Sequence, residues 1–280
     1  MLTATLLALV AAVMHACWNL LVKQGGDDRF LLLWGQFSIA AVLCVPIVVG
    51  FGGVPRIAWI WIVVSGVAHL PYCLLLAKAY NHGDFSVVYP IARGGGAMLA
   101  AIGGVLFLAD RISIQSALGI GVVVLGLVFL AGPYNAANKV SVLAALGVAC
   151  TIGVYSVSDA KGIRASTTVL YALATHIGTA VTTTTYGLVT GRRNDMRRVI
   201  ETHWRRLSLA AIASTVTYTL VQLAFKRAPV GYVTALRESS VVLASFIGWR
   251  RLKEPVGKRR VGATLLVVAG MVMVVIFRPA

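Results

Sequence analysis

The segment "VVYPIARGGGAM", residues 87–98, combines a proline, an arginine and three consecutive glycines within a run that is otherwise apolar. Each of these residue types is unfavourable inside a membrane helix, because proline removes a backbone N–H, glycine loosens the backbone and a charge is costly in lipid. A shift of 144 residues brings this segment onto "GYVTALRESSVV", residues 231–242, and places Arg93 on Arg237. The recurrence indicates a duplicated chain with an arginine at the matching place in each half.

The similarity between the halves extends beyond the two arginines. Under the same shift, further positions carry identical or similar residues: Leu99 and Leu243, Ala100 and Ala244, Gly104 and Gly248, Leu108 and Leu252, Asp110 and Glu254, and Gly126 and Gly270. At nearby offsets, residues 79–80 align with 224–225 and Tyr72 aligns with Tyr218. We therefore divide the chain into two repeats, residues 1–134 and 135–280.

The composition is that of an integral membrane protein. Hydrophobic residues make up 59% of the chain and charged residues 12%, whereas soluble domains carry about 25% charged residues. The net charge of +16 does not indicate nucleic-acid binding, because the Lys and Arg residues occupy short gaps between apolar runs. There they suit the anionic headgroups of a lipid bilayer.

The hydropathy pattern predicts ten membrane helices, since each needs about 20 apolar residues. The expected spans are residues 2–22, 30–50, 57–80, 85–108, 113–131, 141–158, 167–190, 206–225, 232–249 and 260–277. Five helices per repeat is an odd number, so the repeats enter the membrane from opposite sides. The predicted fold is an all-α integral membrane protein of ten transmembrane helices in two inverted-topology five-helix repeats. Such repeats suit a transporter that exposes one central site alternately to two sides.

Two connections carry most of the positive charge. Residues 191–206 and 249–260 each contain six Lys or Arg residues, and we expect both to lie along the membrane surface. Under the positive-inside rule both face the cytoplasm, which puts both chain termini outside. We therefore expect a multi-pass protein of the cytoplasmic (inner) membrane.

Two long segments carry a resemblance to a known family. Residues 79–130, "AYNHGDFSVVYPIARGGGAMLAAIGGVLFLADRISIQSALGIGVVVLGLVFL", and residues 224–275, "AFKRAPVGYVTALRESSVVLASFIGWRRLKEPVGKRRVGATLLVVAGMVMVV", both resemble the EamA-type repeat of the drug/metabolite transporter superfamily. They share an Ala-aromatic helix end, a short turn, a helix rich in small residues, an acidic residue in the next loop and a final glycine-bearing helix. The resemblance implies a central cavity between the halves and transport of a small organic solute.

Arg93 is the first candidate for contact with that solute. It lies eight residues into its predicted helix, which is about 12 Å at 1.5 Å per residue and close to mid-membrane. Arginine at this depth usually faces a cavity or a partner. The adjacent glycines, residues 94–96, either present bare backbone to the site or pack helices together, and both interpretations stay open.

Arg237 and Glu238 occupy the corresponding place in the second half, and Glu238 is the one acidic residue that lies clearly inside a predicted span. We predict an ion pair between Arg93 and Glu238, because neighbours such as Arg237 and Glu238 point about 100° apart on a helix. Glu238 is alternatively a protonatable residue that couples transport to protons.

Further polar and aromatic side chains are candidates for lining the cavity. Most of them are spaced so that they lie on a common face of their helix, and one lies a turn before Arg93. They are His15, Trp18 and Asn19 on the first helix, His69 and Tyr72 on the third, Tyr89 beside Arg93, and Tyr218 and Gln222 on the eighth.

No enzyme signature accompanies these residues. The chain has no Walker lysine pattern, no Ser-His-Asp set and no His or Cys cluster with metal-ligand spacing. We therefore expect no enzymatic activity, cofactor or metal. The favoured function is a secondary-active transporter, an exporter of an amino acid or another anionic or zwitterionic metabolite. The alternatives are efflux of aromatic or cationic drug-like compounds, and a non-transport role in handling lipids or stabilising a partner.

Overall fold

The computed structural model describes residues 1–23, 28–82, 85–131, 139–166, 169–240 and 258–277, and the regular secondary structure in these ranges is α-helical. The helices are α1 (Leu2–Lys23), α2 (Arg29–Gly50), α3 (Arg56–His82), α4 (Phe85–Leu108), α5 (Ile114–Ala131), α6 (Lys139–Ala165), α7 (Leu170–Val189), α8 (Arg193–Phe225), α9 (Val230–Arg237) and α10 (Lys258–Ile276). Within the described ranges, five helices are long and apolar enough to cross a membrane. The ten helices of the described ranges agree with the all-helical architecture that the sequence predicted.

Helix α6 is longer than predicted. The sequence predicted a span over residues 141–158, ending where the polar run "SDAKG" begins, but the helix continues to Ala165. The reason is that Asp159 is fully buried and accepts hydrogen bonds from two tyrosines. A polar residue whose side chain is hydrogen-bonded in this way can lie within a helix inside the protein.

The predicted connection at residues 191–206 is helical for most of its length. Helix α8 begins at Arg193, so the basic segment forms its first turns. Met196 is buried, while the exposed Arg197 pairs with Glu201 one turn later. The segment is an amphipathic helix because apolar residues recur at helical spacing among the charges. The other basic connection, residues 249–260, falls largely outside the described ranges.

Helices of one half pack mainly on helices of the other. Helix α1 packs along α8. In the same way α6, the counterpart of α1, packs along α3, the counterpart of α8. Helix α2 packs on its own counterpart α7, and α5 on α10. Close contact at the last crossing depends on glycines, since a Cβ at Gly119 would lie 2.9 Å from the Gly270 carbonyl oxygen.

The glycine triplet packs α4 against its neighbours. A Cβ on Gly95 would lie 2.9 Å from the Ala149 Cβ, and one on Gly96 would lie 2.6 Å from the Ile152 Cγ2. Gly94 faces α5, and none of the three lines the central cavity described below. Of the two open interpretations, the structure supports helix packing.

Asp110 joins the loop after α4 to the second half of the chain. Arg164 donates to Asp110 Oδ1 at 2.7 Å and also to the carbonyl oxygens of Phe225 and Ala228. The other carboxylate oxygen, Oδ2, accepts the Val230 N–H at 2.7 Å, at the start of α9. We call this network the Asp110–Arg164 latch. It ties together the end of α6, the α8–α9 turn and the α4–α5 loop.

Candidate functional site

A buried cavity lies where helices of the two halves meet. Its lining residues come from eight helices: His15, Trp18, Gln36, Phe37, His69, Tyr72, Arg93, Tyr155, Thr175, His176, Thr179, Ser214, Thr217, Tyr218 and Arg237. The space open to the centres of water molecules is about 60 Å³, several times the roughly 10–15 Å³ that one water requires. Charged, hydroxyl and aromatic groups share the wall, so the cavity offers both polar and apolar contacts to a small solute.

Arg93 and Glu238 form a buried ion pair beside this cavity. The Arg93 Nη2 lies 2.7 Å from Glu238 Oε1, and Nε lies 3.2 Å from Oε2. The two side chains are 6% and 2% exposed. This is the pair that the sequence predicted. Since the carboxylate neutralises the guanidinium, Arg93 brings little net charge to the cavity.

Arg237 lines the same cavity, and no carboxylate of the described ranges pairs with it. It ends α9 and is buried, and its Nε has no hydrogen-bond partner among the described residues. The salt bridges within the described ranges do not include it. A buried charge of this kind is costly unless something pairs with it. The cavity is therefore electropositive, and within the described residues no Asp or Glu lines it.

Two uncharged polar groups of the lining also lack partners within the described ranges. The Trp18 indole Nε1 is buried without an acceptor, and both amide atoms of Gln36 are buried without a hydrogen bond. Buried polar groups in proteins are almost always satisfied by protein or water. Together with Arg237, these groups supply unused donors and one unused acceptor to whatever fills the cavity.

Aromatic rings cover another part of the lining. His69 stacks on Tyr155 with ring centroids 4.2 Å apart, and Phe37, Tyr72 and Tyr218 surround His69 at 6.0 to 6.1 Å. We call these five residues the aromatic wall. Such rings bury the apolar parts of a solute and present negatively polarised faces to a cation.

Asp159 lies behind the aromatic wall. Its Oδ1 accepts a hydrogen bond from the Tyr171 hydroxyl at 3.2 Å, and its Oδ2 accepts one from the Tyr218 hydroxyl. The expectation that Glu238 is the one acidic residue inside a span is therefore wrong. Asp159 was missed because the predicted span ended at residue 158.

Most of the predicted site residues come together around the cavity. Those that line it are His15, Trp18, His69, Tyr72, Arg93, Tyr218 and Arg237. Gln222 lies one turn beyond Tyr218, outside the lining, and donates to the Thr175 hydroxyl at 3.1 Å. The side chains of Asn19 and Tyr89 lie outside the described residues.

Several lining residues were not predicted from the sequence. Gln36, Phe37 and Tyr155 belong to this group, together with a set of threonines on α7 and α8. For Gln36 a signal exists, because it is a lone amide inside an apolar span and such residues seek a polar environment. Phe37 and Tyr155 are ordinary residues of membrane helices, so nothing local marks them.

Comparison with known proteins points in the same direction as the geometry. The model of the EamA-like transporter family matches residues 2–132 and again residues 139–276. A search of the curated proteins found no match. Among solved structures, one described only as "Crystal structure of protein" matches with a TM-score of 0.77 and 18% identity, over 98% of each chain. At this identity the likeness shows a shared fold.

Proposed function

This chain belongs to the EamA-like transporter family within the drug/metabolite transporter superfamily, and from that membership we propose that it exports a small zwitterionic or anionic metabolite, such as an amino acid. Transport is secondary-active and proceeds by alternating access. The solute binds in the cavity between the halves of the chain, in the cytoplasmic (inner) membrane.

The observation that carries the substrate class is the uncompensated charge of Arg237. Arg93 already has Glu238 as its counter-ion, whereas the buried Arg237 lacks a carboxylate among the described residues. A substrate carboxylate would supply the missing charge and accept charge-assisted hydrogen bonds from the guanidinium. The free Trp18 N–H would donate to the same carboxylate.

The opposite end of a zwitterion also has suitable partners. The Gln36 Oε1 is an unused acceptor, and the aromatic wall adds ring faces that attract an ammonium group. A solute with a carboxylate at one end and an ammonium at the other would use both parts of the cavity. These groups support an amino acid over a simple dicarboxylate.

Alternating access is supported by how the halves pack. The pair α1 with α8 corresponds to the pair α6 with α3, and a two-fold axis between the halves would place one pair on the other. Two inverted repeats would give such an axis in the membrane plane, and rocking one half against the other would open the cavity to each side in turn. The Asp110–Arg164 latch would be one of the contacts that break.

Efflux of aromatic cations is the second candidate, and the aromatic wall favours it. Two arginines in the lining, with no described carboxylate beside them, oppose a cationic substrate. A lateral opening toward lipid at His15 receives no support, because this side chain is buried in the cavity.

The test measures ligand stabilisation of the protein in nanodiscs. The wild type, Arg237→Gln and the exposed-site control Arg197→Gln are heated with amino acids, organic anions or aromatic cations, and unfolding is followed by tryptophan fluorescence. A ligand at 100 times its dissociation constant adds about 2.7 kcal/mol to the free energy of unfolding. We expect amino acids or anions to stabilise the wild type and Arg197→Gln, but not Arg237→Gln. Stabilisation by cations alone, or an anion effect that persists in Arg237→Gln, would contradict the proposal.

A further inference from the structure

Asp159 is a fully buried carboxylate that has hydrogen-bond donors but no counter-ion in the part of the chain that the structure describes. It is 0% exposed, and the hydroxyls of Tyr171, Tyr218 and Ser65 hydrogen-bond to it. The salt bridges within the described ranges leave it out. An unpaired carboxylate in such a place either stays protonated or exchanges its proton as its surroundings change. Two phenols fit both forms, since a hydroxyl can donate or accept.

Tyr218 connects this carboxylate to the substrate cavity. It lines the cavity and at the same time donates to Asp159. A charged Asp159 accepts a stronger hydrogen bond from Tyr218 than a protonated Asp159 does. Protonation would therefore release Tyr218 toward the cavity, where it would compete with the solute. Proton binding at Asp159 and solute binding in the cavity are thus coupled through one side chain.

Helix α6 connects the same carboxylate to the latch. Tyr155 of the cavity, Asp159, and Arg164 of the latch follow one another along this helix. At 1.5 Å per residue, the successive separations along the axis are about 6 Å and 7.5 Å. Asp159 therefore lies between the cavity lining and the latch along this helix.

Other titratable groups surround α6 near Asp159. The titratable or charged side chains that line the cavity or contact Asp159 come from five helices packed on α6. They are His69 and Tyr72 on α3, Arg93 on α4, Tyr171 and His176 on α7, Tyr218 on α8 and Arg237 on α9. On α6 itself, Tyr155 lines the cavity and Lys161 faces the Trp61 ring. Glu238, the residue that the sequence favoured for proton coupling, is bound to Arg93 by two hydrogen bonds. Asp159 is thus the carboxylate near the cavity, among the described residues, that is free of an arginine.

We propose that Asp159 is the proton site that drives transport, so that one proton is exchanged for each solute molecule. The carboxylate takes a proton from water when the cavity opens to one side, forming an O–H bond. That bond breaks when the cavity opens to the other side, and the proton returns to water there. This inference rests on the proposed transport function and adds its energy source.

The experiment uses proteoliposomes and a radiolabelled mixture of the common amino acids as the probe. Counterflow without a pH gradient reports solute exchange, and accumulation in an acid lumen reports proton-driven uptake. The variants are Asp159→Asn, Asp159→Glu and Tyr218→Phe, with Glu201→Gln as a control that removes an exposed carboxylate. Infrared difference spectra between acidic and alkaline buffer detect the C=O band of a protonated carboxylic acid without any solute.

We expect a lumen one pH unit more acid to give about tenfold accumulation by the wild type, the limit for one proton per solute. Asp159→Asn should lose this accumulation and the infrared band while keeping counterflow, and Asp159→Glu should keep part of both. Tyr218→Phe should shift the pH at which the band appears. Glu201→Gln should behave as the wild type.

Failure of this inference is distinguishable from failure of the proposed function. If the wild type shows counterflow but no response to the gradient, or if Asp159→Asn still accumulates solute, Asp159 is not the proton site and transport stands. If the wild type shows no counterflow, the proposal of amino-acid transport is wrong. The infrared band then shows by itself whether Asp159 binds a proton. A band unchanged in Asp159→Asn would overturn the inference.

Discussion

Breaking the ion pair between Arg93 and Glu238 should be strongly destabilising, whereas removing both charges together should not. In Glu238→Gln the guanidinium remains buried at a side-chain exposure of 6% without its carboxylate. Each of its two charge-assisted hydrogen bonds contributes about 1.5–3 kcal/mol. Removing one partner of a buried pair costs about 3–5 kcal/mol in other proteins. We expect a loss in this range for Glu238→Gln and for Arg93→Met.

The double variant Arg93→Met with Glu238→Met tests the reasoning. Apolar replacement of a whole buried pair is often neutral or stabilising, so this protein should be more stable than either single variant. The free energy of unfolding is measured by titration with denaturing detergent in mixed micelles, followed by tryptophan fluorescence. The wild type, Arg93→Met, Glu238→Met and the double variant form a double-mutant cycle, and we expect a coupling energy of about 2–3 kcal/mol.

The exposed pair of Arg197 and Glu201, with side chains 80% and 60% exposed, supplies the matched control. Both residues lie on the surface of α8, where solvent screens their interaction. Glu201→Gln should therefore unfold at the same detergent concentration as the wild type. Additive effects of the Arg93 and Glu238 substitutions would refute the pairing, and so would a loss no larger than that of the control.

Three further predictions concern other contacts. Gly96→Ala should lower the free energy of unfolding by about 1–3 kcal/mol through overpacking against α6. Gly121→Ala, whose added Cβ meets no atom within 4 Å, should leave that free energy unchanged or slightly raised. Equal effects would contradict the packing role. Asp110→Ala should destabilise more than Asp110→Asn, because the amide oxygen can still accept the Val230 N–H; the reverse order in detergent unfolding would count against the latch. Arg237→Gln should unfold at no lower detergent concentration than the wild type, since it removes an uncompensated buried charge; marked destabilisation would show that Arg237 has a structural partner.

The ion pair and the glycine triplet differ in how far the sequence could predict their roles. Arg93 with Glu238 was predictable because buried charges in a membrane protein are few and must find one another. The roles of Gly94–Gly96 were not, since a glycine run suits helix packing and ligand contact equally well. The structure resolves this by bringing α5 and α6 onto the triplet.

What the sequence determined by itself is the class of protein, its helical architecture, its duplication and the residues that carry charge into the membrane. Hydropathy and repeat spacing record these features along the chain, because lipid imposes the same local requirement on every span. Only the tertiary structure decided which charges are paired, that no described carboxylate pairs with Arg237, and that Asp159 contacts Tyr218 of the cavity lining. These depend on how each helix is rotated and where it crosses its neighbours. Packing among many distant side chains sets those angles, and no local pattern encodes them.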